Sequence, residues 1–124
     1  MIAPLRTNPG GFIGANLRYL VQGWFAQLWG STFPFGTLVA NVTGSFLLAF
    51  FVALTTERVV LAPGWRLFFA VGVMGGYTTF SSFSVETLSF LEQGFWGLGL
   101  ANLIANVGLA LTAAVLGFWL ARAL

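Results

Sequence analysis

Long apolar runs separated by short polar breaks dominate the chain, without the close mixing of apolar and polar positions typical of a soluble fold. A helix crossing the hydrocarbon core of a bilayer needs about 20 mostly apolar residues. Four stretches reach that length, at about 10–29, 36–55, 66–91 and 95–121. The pattern predicts an all-α integral membrane protein, a single transmembrane domain over residues 1–124 with four transmembrane helices. All four prolines (Pro4, Pro9, Pro34 and Pro63) fall outside these stretches or at their edges, where a residue without an amide N–H punctuates helices. Trp29, Trp65, Trp96 and Trp119 lie near the expected ends, at the level where amphipathic rings prefer the interface. The connections are too short for a soluble domain. Arg18 interrupts the first apolar segment and no small-x-small cleavage site follows convincingly, so no cleaved signal is expected.

Residues 75–86 depart from this pattern. Hydrophobic sequence flanks them on both sides, yet they hold the pair Gly75-Gly76, the hydroxyls of Thr78, Thr79, Ser81, Ser82 and Ser84, and the carboxylate of Glu86. Hydrocarbon cannot solvate a freed backbone group, so irregular backbone at membrane depth must face protein or a water-filled cavity. This stretch is expected to line a pathway or to build an ion site. A break at the glycines would expose carbonyl oxygens, hard ligands suited to sodium-like cations. The alternative is an unbroken helix in which Gly72 and Gly76, four apart, serve small-xxx-small packing.

If a helix resumes near Thr79, Phe80 and Phe83 are neighbours on one side, and Thr79, Ser82 and Glu86 fall on an adjacent strip. Phenylalanines in a membrane helix ordinarily face lipid or pack. Here they interleave with hydroxyls, and an aromatic edge is electropositive, so rings turned edge-on could stabilise a small anion. Glu86 sits about one turn from the end of its stretch, so it either reaches the interface or belongs to the pathway. In the second stretch Thr37, Asn41 and Ser45 recur at i, i+4 and share a face. Asn41 reads either as interhelical glue, the ordinary use of such residues, or as a ligand of the same pathway. Asn102 and Asn106 share a face of the fourth stretch, where glue is the simpler reading. Arg18 either snorkels to the interface, partners a group inside the bundle, or lines a vestibule that attracts anions.

Composition narrows the function classes. Of 124 residues, 58% are hydrophobic and only 6% charged, against about one-quarter charged in ordinary soluble domains. Five arginines and three glutamates leave a net charge of +2 without a basic cluster, so nucleic acid is not an implied partner. The absence of cysteine and histidine removes disulfides, thiol chemistry and most transition-metal sites. No nucleophile–base or paired-carboxylate constellation can be assembled, so an enzyme is not expected.

Three segments together resemble the Fluc, or CrcB-type, fluoride channels: Gly-Gly-x-x-Gly-x-x-x-Arg at 10–18, Gly-Thr-Leu-x-x-Asn-x-x-Gly-Ser-Phe at 36–46, and Gly-Gly-x-Thr-Thr-Phe-Ser-Ser-Phe-Ser-x-Glu-Thr at 75–87. The third motif is the specific one, and the match spans nearly the whole chain in order and spacing. The resemblance implies a passive fluoride-selective channel of the plasma membrane that exports fluoride and relieves its toxicity. It implies antiparallel, dual-topology dimers with a break in the third helix, two pores and a central structural sodium ion. By motif, Phe80 and Phe83 would be the pore aromatics and Asn41 the pore amide. Ser81, Ser82 and Glu86 would lie in the hydroxyl-rich track, Gly75 and Thr78 would offer carbonyls to sodium, and Arg18 would match the vestibule arginine. Two positions depart from the family pattern. Ser82 stands where threonine is usual, and Ala114 where the fourth helix more often carries threonine, with Thr112 on a different face. Other readings are a small proton-coupled exporter of cationic compounds, which would want a carboxylate early in the chain where this one has Arg18, and a non-transporting membrane subunit.

Arg6, Arg58, Arg66 and Arg122 all lie on one side of a four-helix topology, and the positive-inside rule then places both termini in the cytoplasm. An antiparallel homodimer needs copies inserted both ways, so either these charges are too few to fix orientation or the partner is an oppositely oriented homologue in a heterodimer. The homodimer is favoured. A reporter fused to the C-terminus should be accessible from both sides of the membrane. Accessibility from one side only would exclude the homodimer.

Overall fold

The computed structural model describes the backbone of residues 2–124 and the side chains from Thr7 onward. All regular structure among the described residues is helical. It comprises α1 (Ile2–Trp29), α2 (Phe35–Glu57), α3 (63–77), α4 (Phe80–Glu92) and α5 (Trp96–Ala123). These form four units, with α3 and α4 together making the third. Between them Thr78 (φ −82°, ψ 157°) and Thr79 (φ −150°, ψ 117°) are extended. Helices α2 and α5 are each long and apolar enough to cross a membrane. Both α3 and α5 contain π-wound turns, over Leu67–Met74 and Ala105–Leu109, which no pattern in the sequence foretold.

One expectation is corrected at the N-terminus. The first helix begins at Ile2 rather than near residue 10, and Pro9 lies within it. Pro4 falls in the first turn, where amide hydrogens have no intrahelical partner anyway. Pro9 deprives the Leu5 carbonyl of its i+4 donor, a loss that a helix packed among neighbours can absorb. The other prolines behave as punctuation: Pro34 precedes α2, and Pro63 opens α3 at its first position, which suits a ring with fixed φ.

The interior inverts the soluble rule. Most of its buried residues are small or polar, among them Ala40, Ala49, Ala53, Ala113, Thr37, Asn102 and Asn106, with Val73, Tyr77 and Phe83 the larger exceptions. Large side chains such as Leu103, Ile104, Leu111, Val115 and Trp119 point outwards. Hydrocarbon outside the bundle is as apolar as leucine, so helices gain by close backbone approach and by hydrogen bonds, not by hiding apolar bulk. Helix α1 packs along α3, and α2 along α5. The α1–α3 seam is nearly bare backbone. A Cβ built on Gly14 would collide with the Val73 carbonyl, and one on Gly76 would lie 2.6 Å from the Gly11 carbonyl. Gly30 (φ +81°) and Gly94 (φ +84°) close the two short connections, a left-handed conformation that costs glycine nothing.

At one end of the bundle, Arg122 Nε meets Glu57 Oε1 at 3.1 Å, and Arg58 donates to the Arg122 carbonyl at 2.5 Å. Arg66 donates to Thr56 Oγ1 at 2.8 Å. These exposed contacts tie the polar ends of α2, α3 and α5, each contributing at most about 1 kcal/mol.

The seam generates a paired test. Gly14→Ala should destabilise the protein by about 1–3 kcal/mol, the usual cost of overpacking, read as a lowered melting temperature in detergent. Gly11→Ala meets nothing within 4 Å and should melt like the parent chain. Equal melting of the two variants would contradict the bare-seam packing.

Candidate functional site

The site is built where the third unit stops being helical. In a continuous helix the Thr79 N–H would bond the Gly75 carbonyl. Instead it donates to Asn41 Oδ1 at 2.8 Å, and Asn41 Nδ2 donates back to the Thr79 carbonyl at 3.0 Å. One side chain from α2 therefore satisfies both backbone groups of the extended residue. Just before it, the Thr78 N–H and Oγ1–H both donate to the Met74 carbonyl at 3.0 Å, closing α3. Immediately after, Thr79 Oγ1 accepts the Ser82 N–H at 3.1 Å and so caps α4. Gly44 makes room: a Cβ there would strike Thr78 Cγ2 and lie 3.1 Å from the Tyr77 ring.

Beside this junction lies a cavity of about 330 Å³, bordered by Asn41, Ser45, Thr79, Phe80, Phe83 and Asn106, with Val107, Ala110 and Leu111 closing it. Phe80 and Phe83 meet edge to face, with centroids 5.5 Å apart and planes 66° apart. Phe83 is buried, whereas Phe80 is 77% exposed and stands at the rim. The fourth-helix wall is thus Asn106 to Leu111; neither Ala114 nor Thr112 reaches it. Thr112 Oγ1 only donates back to its own helix, at the Gly108 carbonyl.

A second polar group lies elsewhere along α4. Thr37 Oγ1 donates to Glu86 Oε2 at 2.7 Å and accepts from Gln22 Nε2 at 3.0 Å. These three residues border a separate cavity of about 210 Å³ beneath the α1–α2 connection. Glu86 Oε1 is buried with no hydrogen-bond partner among the described residues. Thr37, Asn41 and Ser45 do share a face, and that face serves both cavities.

The remaining sequence-predicted residues scatter around this core. Ser81 is exposed, its Oγ 3.3 Å from Thr79 Oγ1. Ser82 contributes its N–H to the cap, and neither serine lines the larger cavity. Arg18 is half-buried on α1, without a hydrogen bond or ion pair among the described residues, and borders neither cavity. Gly75 lies exposed near the end of α3, its carbonyl freed of the Thr79 N–H by the Asn41 contact. That carbonyl and the Thr78 carbonyl are hard oxygen atoms, the donor type an alkali cation takes.

Sequence reasoning weighed Asn102 and Asn106 only as glue and passed over Gln22 and Thr87. Asn106 Oδ1 accepts the Asn41 amide at 2.9 Å, Asn106 Nδ2 reaches Asn102, and Asn102 Nδ2 reaches Thr87 Oγ1 at 3.0 Å. The i, i+4 asparagine pair was the available signal. For Gln22, an amide in an apolar run was the only one.

Residues 7–118 match the family described as CrcB-like protein, Camphor Resistance (CrcB). Among curated proteins, the chain is 50% identical over 108 residues to a fluoride-specific ion channel FluC of Koribacter versatilis, covering 87% of this chain and 85% of that protein. It is 44% identical over 124 residues to the FluC of Clostridium perfringens (strain 13 / Type A), covering 100% and 97%. With the FluC of Sulfurihydrogenibium sp. it shares 49% over 115 residues, 93% of each.

Replacing Asn41 by leucine removes both partners of Thr79, at about 1–3 kcal/mol for each backbone group left unpaired. Asn41→Leu should therefore melt well below the parent protein in detergent. Thr112→Val, which loses only a bond within its own helix, should melt like the parent. A neutral Asn41→Leu would remove the clamp from the account of the fold.

Proposed function

Because the chain belongs to the CrcB-like family, we propose that it is a passive, fluoride-selective ion channel. The observation that carries this reading is the match to proteins named fluoride-specific ion channels at 44–50% identity over most of the chain. Those relatives are named as channels, not enzymes. The edge-on phenylalanine pair beside an amide and hydroxyls supports the reading physically. Fluoride is small and strongly hydrated, so a pore must replace its water with donors and positive edges without holding it too tightly to leave. Phe80 and Phe83 offer ring edges, and Asn41, Ser81, Ser82 and Glu86 complete the pathway. Arg18 serves an anion-attracting vestibule.

In this proposal α3 and α4 form one broken span in a multi-pass protein of the plasma membrane. The carbonyls of Gly75 and Thr78 would hold a structural sodium ion, which supplies fixed positive charge beside the break. Two antiparallel copies assemble, with a homodimer favoured over a pair of oppositely oriented homologues. Downhill export of fluoride through such a pore relieves its toxicity. A proton-coupled exporter of cations is disfavoured by Arg18 in the first helix, and a silent subunit by the relatives' names.

Purified protein in liposomes loaded with potassium fluoride, with valinomycin added, should release fluoride to an external electrode faster than protein-free liposomes. No release by folded, assembled protein would overturn the channel reading. Phe80→Ile should slow release sharply while leaving assembly intact; unchanged release would remove Phe80 from the pathway.

A further inference from the structure

The hydrogen bonds around Asn41 form one directed chain. The Thr79 N–H donates to Asn41 Oδ1, Asn41 Nδ2 to Asn106 Oδ1, and Asn106 Nδ2 to Asn102 Oδ1. Asn102 Nδ2 then donates to Thr87 Oγ1 at 3.0 Å, and Thr87 Oγ1 to the Phe83 carbonyl at 2.8 Å. Every donor points the same way. An amide side chain can ordinarily be turned end for end, exchanging its oxygen and nitrogen. Here that freedom is removed. The Thr79 N–H can only donate, which fixes Asn41 Oδ1. The Asn102 carbonyl, also bonded by Asn106 Nδ2 at 3.0 Å, can only accept, which fixes Asn106 Oδ1 towards Asn41. The chain lies in the interior, with Asn102 fully buried and Asn106 4% exposed, and Asn106 belongs to the π-wound turn of α5.

Both ends of the chain attach to the same short helix. One end holds Thr79, the residue that launches α4; the other holds the Phe83 carbonyl one turn further on. The chain passes through α2 and α5 between those points, so it braces α4 at the turn that carries Phe80 and Phe83. We propose that Asn106, backed by Asn102 and Thr87, is a positioning residue for ion discrimination: the brace holds the ring edges at the spacing that suits fluoride and excludes the larger chloride. This rests on the channel reading above. Asn106 and Asn102 act through Asn41 and α4: Asn106 Nδ2 is spent on the Asn102 carbonyl and Oδ1, and Asn102 Nδ2 donates to Thr87 Oγ1.

Discrimination between ions provides a readout that is independent of how much protein is folded. The ratio of fluoride to chloride release, measured with ion-selective electrodes on the same liposomes, does not change with the fraction of active protein. Asn106→Leu removes the acceptor for Asn41 and should lower that ratio by at least about tenfold, the scale seen when supporting partners of a site are removed. Thr87→Val, nearly isosteric and outside the cavity, breaks only the last links and should lower it in the same direction by less. An unchanged ratio in assembled Asn106→Leu overturns the proposal. If that variant does not assemble, Thr87→Val decides alone, and an unchanged ratio there overturns it. A parent protein that releases no fluoride overturns the channel reading and this inference with it; a parent that conducts beside unaltered variants overturns the brace alone.

Discussion

A single amide, that of Asn41, closes both hydrogen-bonding groups of Thr79, and the local architecture depends on that pairing. Two extended residues between helices present several backbone groups to a medium that cannot hydrate them. Water would make such a junction trivial. Without it, each group needs a partner fixed in place by another element. The demand is met from α2 by Asn41, from α3 by the Met74 carbonyl, and from within α4 by the Thr79 cap. The cavity wall and the aromatic pair are positioned by those same contacts, so the device that makes irregular backbone tolerable also orients the groups proposed to meet the ion.

The magnitudes explain why the polar groups sit where they do. An interhelical hydrogen bond in a membrane is worth about 0.6 to 2 kcal/mol, too little for any one of them to hold the bundle. Stability rests on many close backbone approaches along the glycine and alanine faces of α1, α2, α3 and α5. The polar contacts matter more for what their loss would leave unpaired than for their own strength. That asymmetry suits specification of geometry better than provision of stability.

Much of this arrangement was legible in the sequence. Hydrocarbon thickness sets helix length, so the apolar stretches were readable, although the first helix starts at Ile2, well before its stretch at about 10. The shared face of Thr37, Asn41 and Ser45 follows from helical periodicity. The spacing of Phe80 and Phe83 likewise made them neighbours. Partner choice was not legible, because it depends on how each helix is rotated and crossed against the next. Nothing local to Thr37 says that it meets Glu86 forty-nine positions away, nor does the spacing of Asn102 and Asn106 say that they face Asn41. Pro9 misled for a related reason: its rule is local, and a helix already held by its neighbours can continue through it.

The contact between α1 and α3 is made largely of glycine backbone, and a surface without side chains has no rotamers to exchange. Thermal agitation there cannot be taken up by torsional hopping, so the two helices are mechanically a single plate. Torsional freedom survives beside it at the exposed Phe80 ring, which keeps its own dihedral angles, whereas the extended pair Thr78–Thr79 is held by Asn41 and the Met74 carbonyl. In the proposed pathway the adjustable part is then a single exposed ring, set in a scaffold that stays stiff around it.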